Sequence, residues 1–165
     1  SSVYVLPTFR GIGAPYWDSS ARGAVLGIDE STSRRELVRA TLESLAYQVS
    51  DVIELMELDT DILVDILHVD GGAAQNNLLI QFQADILGKT VRRIERLETT
   101  SLGAAYLAGL AVDYWRDQNE LTALVSEKEQ FEPHMTDKER QERLHGWHSA
   151  VKAILYYAKL LHGQV

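Results

Sequence analysis

The sequence contains no cysteine, which excludes disulfides, thiol nucleophiles and thiolate metal sites and fits a cytoplasmic chain. Basic residues are scarce. Lys and Arg number 16 against 24 Asp and Glu, for a formal charge of −8 and a pI near 5.1. Binding a nucleic-acid backbone needs the opposite balance, so no nucleic-acid partner is expected. No apolar run approaches the roughly 18 residues of a membrane span, so no membrane partner is expected either. The amino-terminal Val3-Tyr4-Val5 has no basic region before it and is not a signal peptide. Two phosphate-binding fingerprints are also missing: there is no G-x-G-x-x-G, and no glycine-rich stretch ends in Gly-Lys-Ser/Thr. No segment supplies a complete set of catalytic groups. Asp65 and Asp70 could form a carboxylate pair, but nothing in their context favours it.

What remains is a 165-residue chain with 45% hydrophobic residues, long enough for one domain with a core or for a large piece of a bigger one. It enters an apolar strand within two residues, as the interior of a longer polypeptide would. Val3 to Leu6 and Ala24 to Ile28 read as short strands. The segment between them, with Gly11, Gly13, Pro15, Phe9, Tyr16 and Trp17, is too rich in aromatics for a linker. Ser33 and Glu36 form a capping box. Val38, Leu42, Leu45, Val49, Val52 and Met56 then recur at helical spacing to about Leu58. Ile62 to Val69 reads as a strand, and Gln75 to Leu87 as a helix with Leu78, Leu79, Phe82 and Ile86 inward and Gly88 closing it. Thr90 to Ile94 is a further strand. Thr99-Thr100-Ser101 opens a helix crowded with Gly103, Ala104, Ala105, Ala108, Gly109 and Ala111, which implies a close neighbour. Asn119 caps a short helix to Val125, and the acidic stretch 127–130 reads as a solvated connection. Thr136 and Glu139 form a second capping box, ahead of a helix that buries Leu144, Trp147, Val151, Ile154, Leu155 and Ala158. Strands alternating with helices predict an α/β fold whose sheet is at least partly parallel.

The most informative run is Val69-Asp70-Gly71-Gly72-Ala73-Ala74-Gln75-Asn76-Asn77. A strand ends in an acid and two glycines, and a helix starts at once. Such a junction offers backbone N–H groups and open space to an anionic or nucleotide ligand, at the strand end where open α/β sheets bind. The glycines could equally serve only to relieve backbone strain. Asn76 and Asn77 stand where an amide reaches a purine or ribose edge. Thr99-Thr100-Ser101 suits either an anion or ordinary capping. Pro15, Tyr16, Trp17 and Asp18 form either a ligand platform or a plug for the fold, with Arg22 spaced to pair with Asp18. His68, His134, His145, His148 and His162 show no metal-ligand pattern beyond the helical spacing of His145 and His148, so no metal site is expected.

Five segments together carry a family resemblance. They are Leu6 to Asp18 with Ala21-Arg22-Gly23, Arg39 to Gln48, Val69 to Ala73 with Asn76-Asn77, Thr99 to Gly109, and Gly146-Trp147. In this order the chain resembles, over almost its whole length, the carboxy-terminal domain of the glycerol kinases in the FGGY family of carbohydrate kinases. The Ala-Pro-Tyr-Trp-Asp and Ala-Arg-Gly pair is specific within that superfamily. The resemblance implies an actin-like ATPase, ribonuclease-H-like fold with mixed sheet and flanking helices. Residues 1–165 would form a partial carboxy-terminal, nucleotide-side domain. It implies ATP-dependent phosphorylation of glycerol to sn-glycerol 3-phosphate by a longer enzyme using ATP and Mg²⁺. Gly72 and Asn76 would contact the adenine nucleotide, with Gly71 shaping the turn and the Thr100–Ala105 helix start packed behind it. The catalytic base, the phosphate loop, the glycerol-holding residues and the first strands of this domain would lie upstream, so no catalytic residue and no metal ligand is expected here. The partner implied is the amino-terminal domain of the same enzyme, and an exposed former interface would favour homo-oligomers. Position 10 is Arg where relatives often carry a small polar residue, and Gln75 stands where a small residue is commoner. Two other readings stay open: a kinase for another polyol or sugar of the superfamily, and a non-catalytic interaction domain reusing the fold.

Overall fold

A computed structural model of the chain describes residues 2–95, 99–122, 124 and 127–163, with the backbone only at 127 and 128. β1 (Tyr4–Leu6) and β2 (Ala24–Leu26) form an antiparallel pair with Val5 opposite Val25. The long helix α1 (Arg34–Thr60) follows. β3 (Ile66–Val69), a 3₁₀ turn (Ala73–Gln75), α2 (Asn77–Leu87) and β4 (Thr90–Ile94) form a strand–helix–strand unit with β3 and β4 parallel. α3 (Thr99–Ala111) and the short α4 (Gln118–Thr122) lead to β5 (Glu127–Phe131), which pairs antiparallel with β4. α5 (Asp137–Leu161) returns across α2 and β1. The acidic stretch expected to be a solvated connection is therefore an edge strand. Its alternating Glu and Gln side chains pair with Arg93 and Arg92 across the ladder.

Local chemistry explains most boundaries. Ser33 and Glu36 close both halves of the expected capping box. Gly88 ends α2 in the left-handed region at φ 63°. Thr136 caps α5 by accepting from the Glu139 N–H, but Glu139 turns its carboxylate to Arg143 and the second box is only half formed. α4 is capped by Asp117, which accepts from the N–H groups of Asn119 and Glu120. The expected cap at Asn119 is thus two residues late, and the expected end at Val125 lies outside the described residues. β3 starts at Ile66, not Ile62, because Val64 gives its N–H to Glu57 rather than to a strand.

The core lies where α1, α2, α5 and β4 meet. Leu6, Ile86, Val91, Trp147 and Val151 are almost fully buried. The Tyr47 ring stacks on Trp147 at 5.1 Å and meets Phe82 edge-on at 5.4 Å. Gly146 lets α5 approach β1, since a Cβ there would lie 2.0 Å from the Tyr4 hydroxyl. This accounts structurally for the Gly146-Trp147 pair.

α1 departs from expectation. Its apolar stripe faces outward: Val38 is 54% and Met56 51% exposed, and Leu45, Val49 and Val52 are also exposed. The side turned to α2 and α5 is instead Ala40, Glu43, Ser44, Ala46, Tyr47, Ser50, Asp51 and Ile53. Small residues permit close helix approach, and the polar ones are hydrogen-bonded. Glu43 accepts from Arg39, and Gln83 donates to the Ala46 carbonyl. α3 departs as well. Its only buried residue is Gly109, packed on the Trp115 ring, while Ala104, Ala105 and Ala108 are exposed.

Asp51 is 5% exposed and accepts from three groups. These are the Tyr16 hydroxyl at 3.1 Å, the Trp147 indole N–H at 2.8 Å and His148 Nε2 at 3.0 Å. The hydrogen bond to Asp51 raises the His148 pKa against the opposing effect of partial burial, with Glu54 adding to the rise and Lys152 reducing it. A raised folded value means that charged His148 stabilises the fold fully below its unfolded value of about 6.5. That contribution disappears as pH climbs through the folded value. Thermal melts from pH 6 to pH 8.5 are expected to show a loss of stability in the unsubstituted protein that His148→Gln flattens. Parallel pH profiles for the two proteins would refute the assignment.

Candidate nucleotide site

β3 carries Asp70 to the end of the parallel pair, and the chain turns there. Gly71 has φ +85°, a conformation open to glycine at no steric cost, whereas Gly72 is right-handed at φ −62°. A Cβ built on either glycine meets no atom within 4 Å. Both therefore border open space, and strain relief accounts for Gly71 alone. The Gly72 carbonyl accepts from the Gln75 N–H at 3.2 Å to start the 3₁₀ turn.

Asn76 lies between the 3₁₀ turn and α2 rather than inside a continuous helix. Its Oδ1 caps α2 by accepting from Leu78 and Leu79 N–H at 3.0 and 3.3 Å. The side-chain carbonyl is thus engaged. Among the described residues the Asn76 Nδ2 has no partner and stands exposed as a donor. Asn77 points elsewhere: its Oδ1 accepts from Arg93 at 2.7 Å. Each asparagine has its Oδ1 engaged, and among the described residues neither Nδ2 has a partner; Asn76 is the one that caps α2 directly after the glycine turn.

The second motif converges on the first. The Thr99 hydroxyl donates to Asp70 Oδ2, so the start of α3 is tied to the end of β3. Gly103, one turn further along α3, is also open, with no atom within 4 Å of a Cβ placed there. The Thr99 hydroxyl thus holds the start of α3 beside the turn. An apolar groove of about 370 Å³ runs from Asp70, Ala73 and Ala74 to Leu45 and Val49 of α1. A larger one of about 610 Å³, lined by Val38, Leu42, Leu78, Leu79 and Phe82, continues along the same two helices away from the turn.

The remaining candidates fall outside this site. The aromatic loop divides its rings: Tyr16 anchors it to Asp51, while Trp17 and Phe9 are 77% and 78% exposed. Asp18 accepts from the N–H groups of Ser20 and Ala21, and Arg22 donates to the Ser19 and Ala21 carbonyls, so the expected Asp18–Arg22 pair does not form. His148 is engaged by Asp51, and among the described residues no group of three His, Asp or Glu could hold a metal ion. Sequence reasoning missed Arg93 and Asp51, both buried charges. For Arg93 the usable signal was a charged residue at an inward position of a short strand; Asp51 lies off the apolar stripe of α1 and gave no such signal.

Comparison with known proteins identifies the family and the fold. Residues 1–112 match the family described as FGGY family of carbohydrate kinases, C-terminal domain. The chain is 55% identical over 153 residues to a glycerol kinase of Enterococcus faecalis, covering 93% of this chain and 30% of that protein. It is 51% identical to a glycerol kinase of Streptococcus pneumoniae, covering 96% of this chain and 32% of that protein. The chain thus spans about a third of the length of these relatives. Among solved structures it superposes on Plasmodium falciparum glycerol kinase with ADP at a TM-score of 0.83 and 35% identity, over 93% of this chain and 31% of that one. A ligand-bound xylulose kinase from Lactobacillus acidophilus gives a TM-score of 0.80 at 22% identity, over 93% of this chain and 31% of that one. These neighbours bear out the actin-like, ribonuclease-H-like α/β fold expected from the sequence. The chain belongs to the FGGY family of carbohydrate kinases.

Proposed function

We propose that the full-length polypeptide transfers a phosphoryl group from ATP to glycerol, giving sn-glycerol 3-phosphate, and that residues 1–165 form its partial carboxy-terminal, nucleotide-side domain. The observation that carries this reading is the β3–α2 turn, where two glycines leave open space next to Asn76, whose Nδ2 has no partner among the described residues. Its relatives at 51–55% identity are glycerol kinases, and a structural neighbour at 35% identity was solved with ADP. ATP supplies the phosphoryl group and its leaving nucleotide. Gly71 and Gly72 let the nucleotide approach the backbone, and Asn76 Nδ2 donates to it. The turn fits a nucleoside; among the described residues no cluster of carboxylates or histidines is assembled to hold the Mg²⁺ that accompanies ATP, and no metal-dependent step is assigned to this chain. ATP use and the absence of cysteine support a cytoplasmic location.

The partner of this domain is the preceding, amino-terminal portion of the same polypeptide. Three observations support that. Among the described residues β3 is paired on one side only, by β4. Met56, Ile62, Leu63 and Leu78 are 51–78% exposed. The relatives extend over more than three times the matched length. In this reading the second part brings the base and the alcohol, and closure aligns hydroxyl and phosphoryl group and excludes water.

In the full-length protein, Asn76→Ala is expected to raise the ADP dissociation constant about tenfold, equivalent to ~1.4 kcal/mol, with glycerol affinity unchanged. Asn76→Asp keeps the helix cap and removes the donor, so it should weaken ADP without the cap-related loss of stability, which is about 1 kcal/mol for Ala. Calorimetry showing equal weakening of both ligands would overturn the assignment. A Cβ at Gly72 meets no atom within 4 Å, so the melting temperature of Gly72→Val should hold while ADP affinity falls. Unchanged ADP affinity would reject the site. A coupled assay of glycerol-dependent ADP release should show turnover by the full-length protein and none by residues 1–165 alone, which should self-associate in light scattering. Turnover by the isolated chain, or none by the full-length protein with glycerol, contradicts the proposal.

A further inference from the structure

A buried guanidinium lies beneath the nucleotide turn. β4 alternates, with Val91 and Arg93 on its inward side at 0% and 3% exposure. That side faces α2, and at Val91 it is part of the apolar core. A cation in such a place is costly unless its donors are used. Arg93 Nη1 donates to Glu129 Oε2 at 2.8 Å, its direct partner across the β4–β5 ladder. Nη2 donates to Asn77 Oδ1 at 2.7 Å. The guanidinium also lies 5.0 Å from the centre of the Phe131 ring. One planar fork therefore reaches an edge strand and the first residue of α2 in different directions.

Asn77 is itself exposed, and nothing about its burial requires this arrangement. What the contact does is hold the first residue of a helix whose start would otherwise fray. Asn77 follows Asn76, and the Asn76 side chain caps the same turn that begins at Gly72. Fixing Asn77 from below fixes the direction in which the Asn76 amide and the Gly72 backbone face the open space above. It also keeps the Asn77 carbonyl oxygen from competing for the helix N–H groups that Asn76 caps.

We propose that Arg93 is a positioning residue for nucleotide binding, acting through Asn77 to set the Gly72–Asn76 turn, with Glu129 balancing its charge. This rests on the nucleotide reading given above. Lysine cannot replace it, because a single ammonium lacks the rigid fork that spans Asn77 and Glu129.

The test uses the full-length protein with Arg93→Lys, Asn77→Ala and the double variant. ADP affinity is measured by calorimetry, KM for ATP and for glycerol by steady-state assay, and amide exchange at Leu78 and Leu79 without nucleotide. Each single variant is expected to raise the ADP dissociation constant about five- to tenfold, and the double variant no further than Arg93→Lys. KM for ATP should rise with it, while KM for glycerol and kcat at saturating ATP stay within about twofold. The Leu78 and Leu79 amides should exchange faster in both single variants. ADP affinity equal to that of the unsubstituted protein in a folded Arg93→Lys or Asn77→Ala overturns the proposal, as do additive effects in the double variant. Should Arg93→Lys fail to fold, Asn77→Ala decides alone, because it removes only an exposed side chain. Failure of the unsubstituted protein to bind ADP overturns the underlying nucleotide reading and this proposal with it, an outcome distinct from a defect confined to the variants.

Discussion

The buried carboxylate of Asp51 ties together parts of the chain that have no other reason to meet. Tyr16 comes from the aromatic loop, Asp51 from the middle of α1, and Trp147 and His148 from α5, 96 and 97 residues further on. An ionised carboxylate at 5% exposure needs donors, and these three supply them. The same three groups fix how α5 lies along α1. That placement brings Trp147 flat onto Tyr47 and leaves no room for a side chain at Gly146. Packing of the aromatic core and the polar contact are therefore one arrangement. A Phe at position 147 could keep the stacking but would leave an acceptor of Asp51 short of a partner.

Arg93 plays a comparable part at the opposite end of α2. Asp51 organises helices into a scaffold, whereas Arg93 links the sheet to the start of the helix that bears Asn76. Arg93 stands where strand alternation calls for an apolar residue, and Asp51 stands on the polar side of α1 that the fold turns inward. Each finds partners in other segments, although among the described residues the Arg93 Nε–H stays buried without one, and such contacts are how a buried polar group favours one packing over others. Between these two anchors runs α2, with Leu79, Phe82 and Ile86 in the core and its first turn turned toward open space.

Much of this was legible in the residues. The strand–glycine–glycine–helix junction, the Ser33 box and the Gly88 cap are local features, set by φ/ψ preference and side-chain reach over three or four positions. They occur where the sequence puts them. The approach of Thr99 to Asp70 was legible only as two separate motifs, because the contact joins elements separated by a whole strand–helix–strand unit. The facing of α1 was not legible. Its periodicity correctly identified a helix with an apolar stripe, but periodicity says nothing about which neighbour covers that stripe. The inner side of α1 is polar and small, and only the partners of Asp51, Glu43 and Ser44 reveal it as buried. β5 was missed for a related reason: a run of Glu and Gln looks solvated until Arg92 and Arg93 stand opposite it.

The outward stripe of α1 and the open side of β3 have a common physical meaning. Antiparallel pairs tolerate one wet face, but a parallel strand such as β3 is normally flanked and covered. Here β3 has one partner among the described residues, and the apolar groove between Leu45, Val49 and Val69 opens beside it. A single exposed Leu needs no explanation, whereas a helical stripe continuous with a strand's open side does. The α1 surface that sequence periodicity marked as core is consistent with core in the complete polypeptide, closed by the portion that precedes this chain. The nucleotide turn lies at the border of that surface, since Asp70 and Ala73 line the same groove. In the reading proposed above, covering the groove would also wall one side of the candidate nucleotide site, coupling completion of the domain to formation of that site.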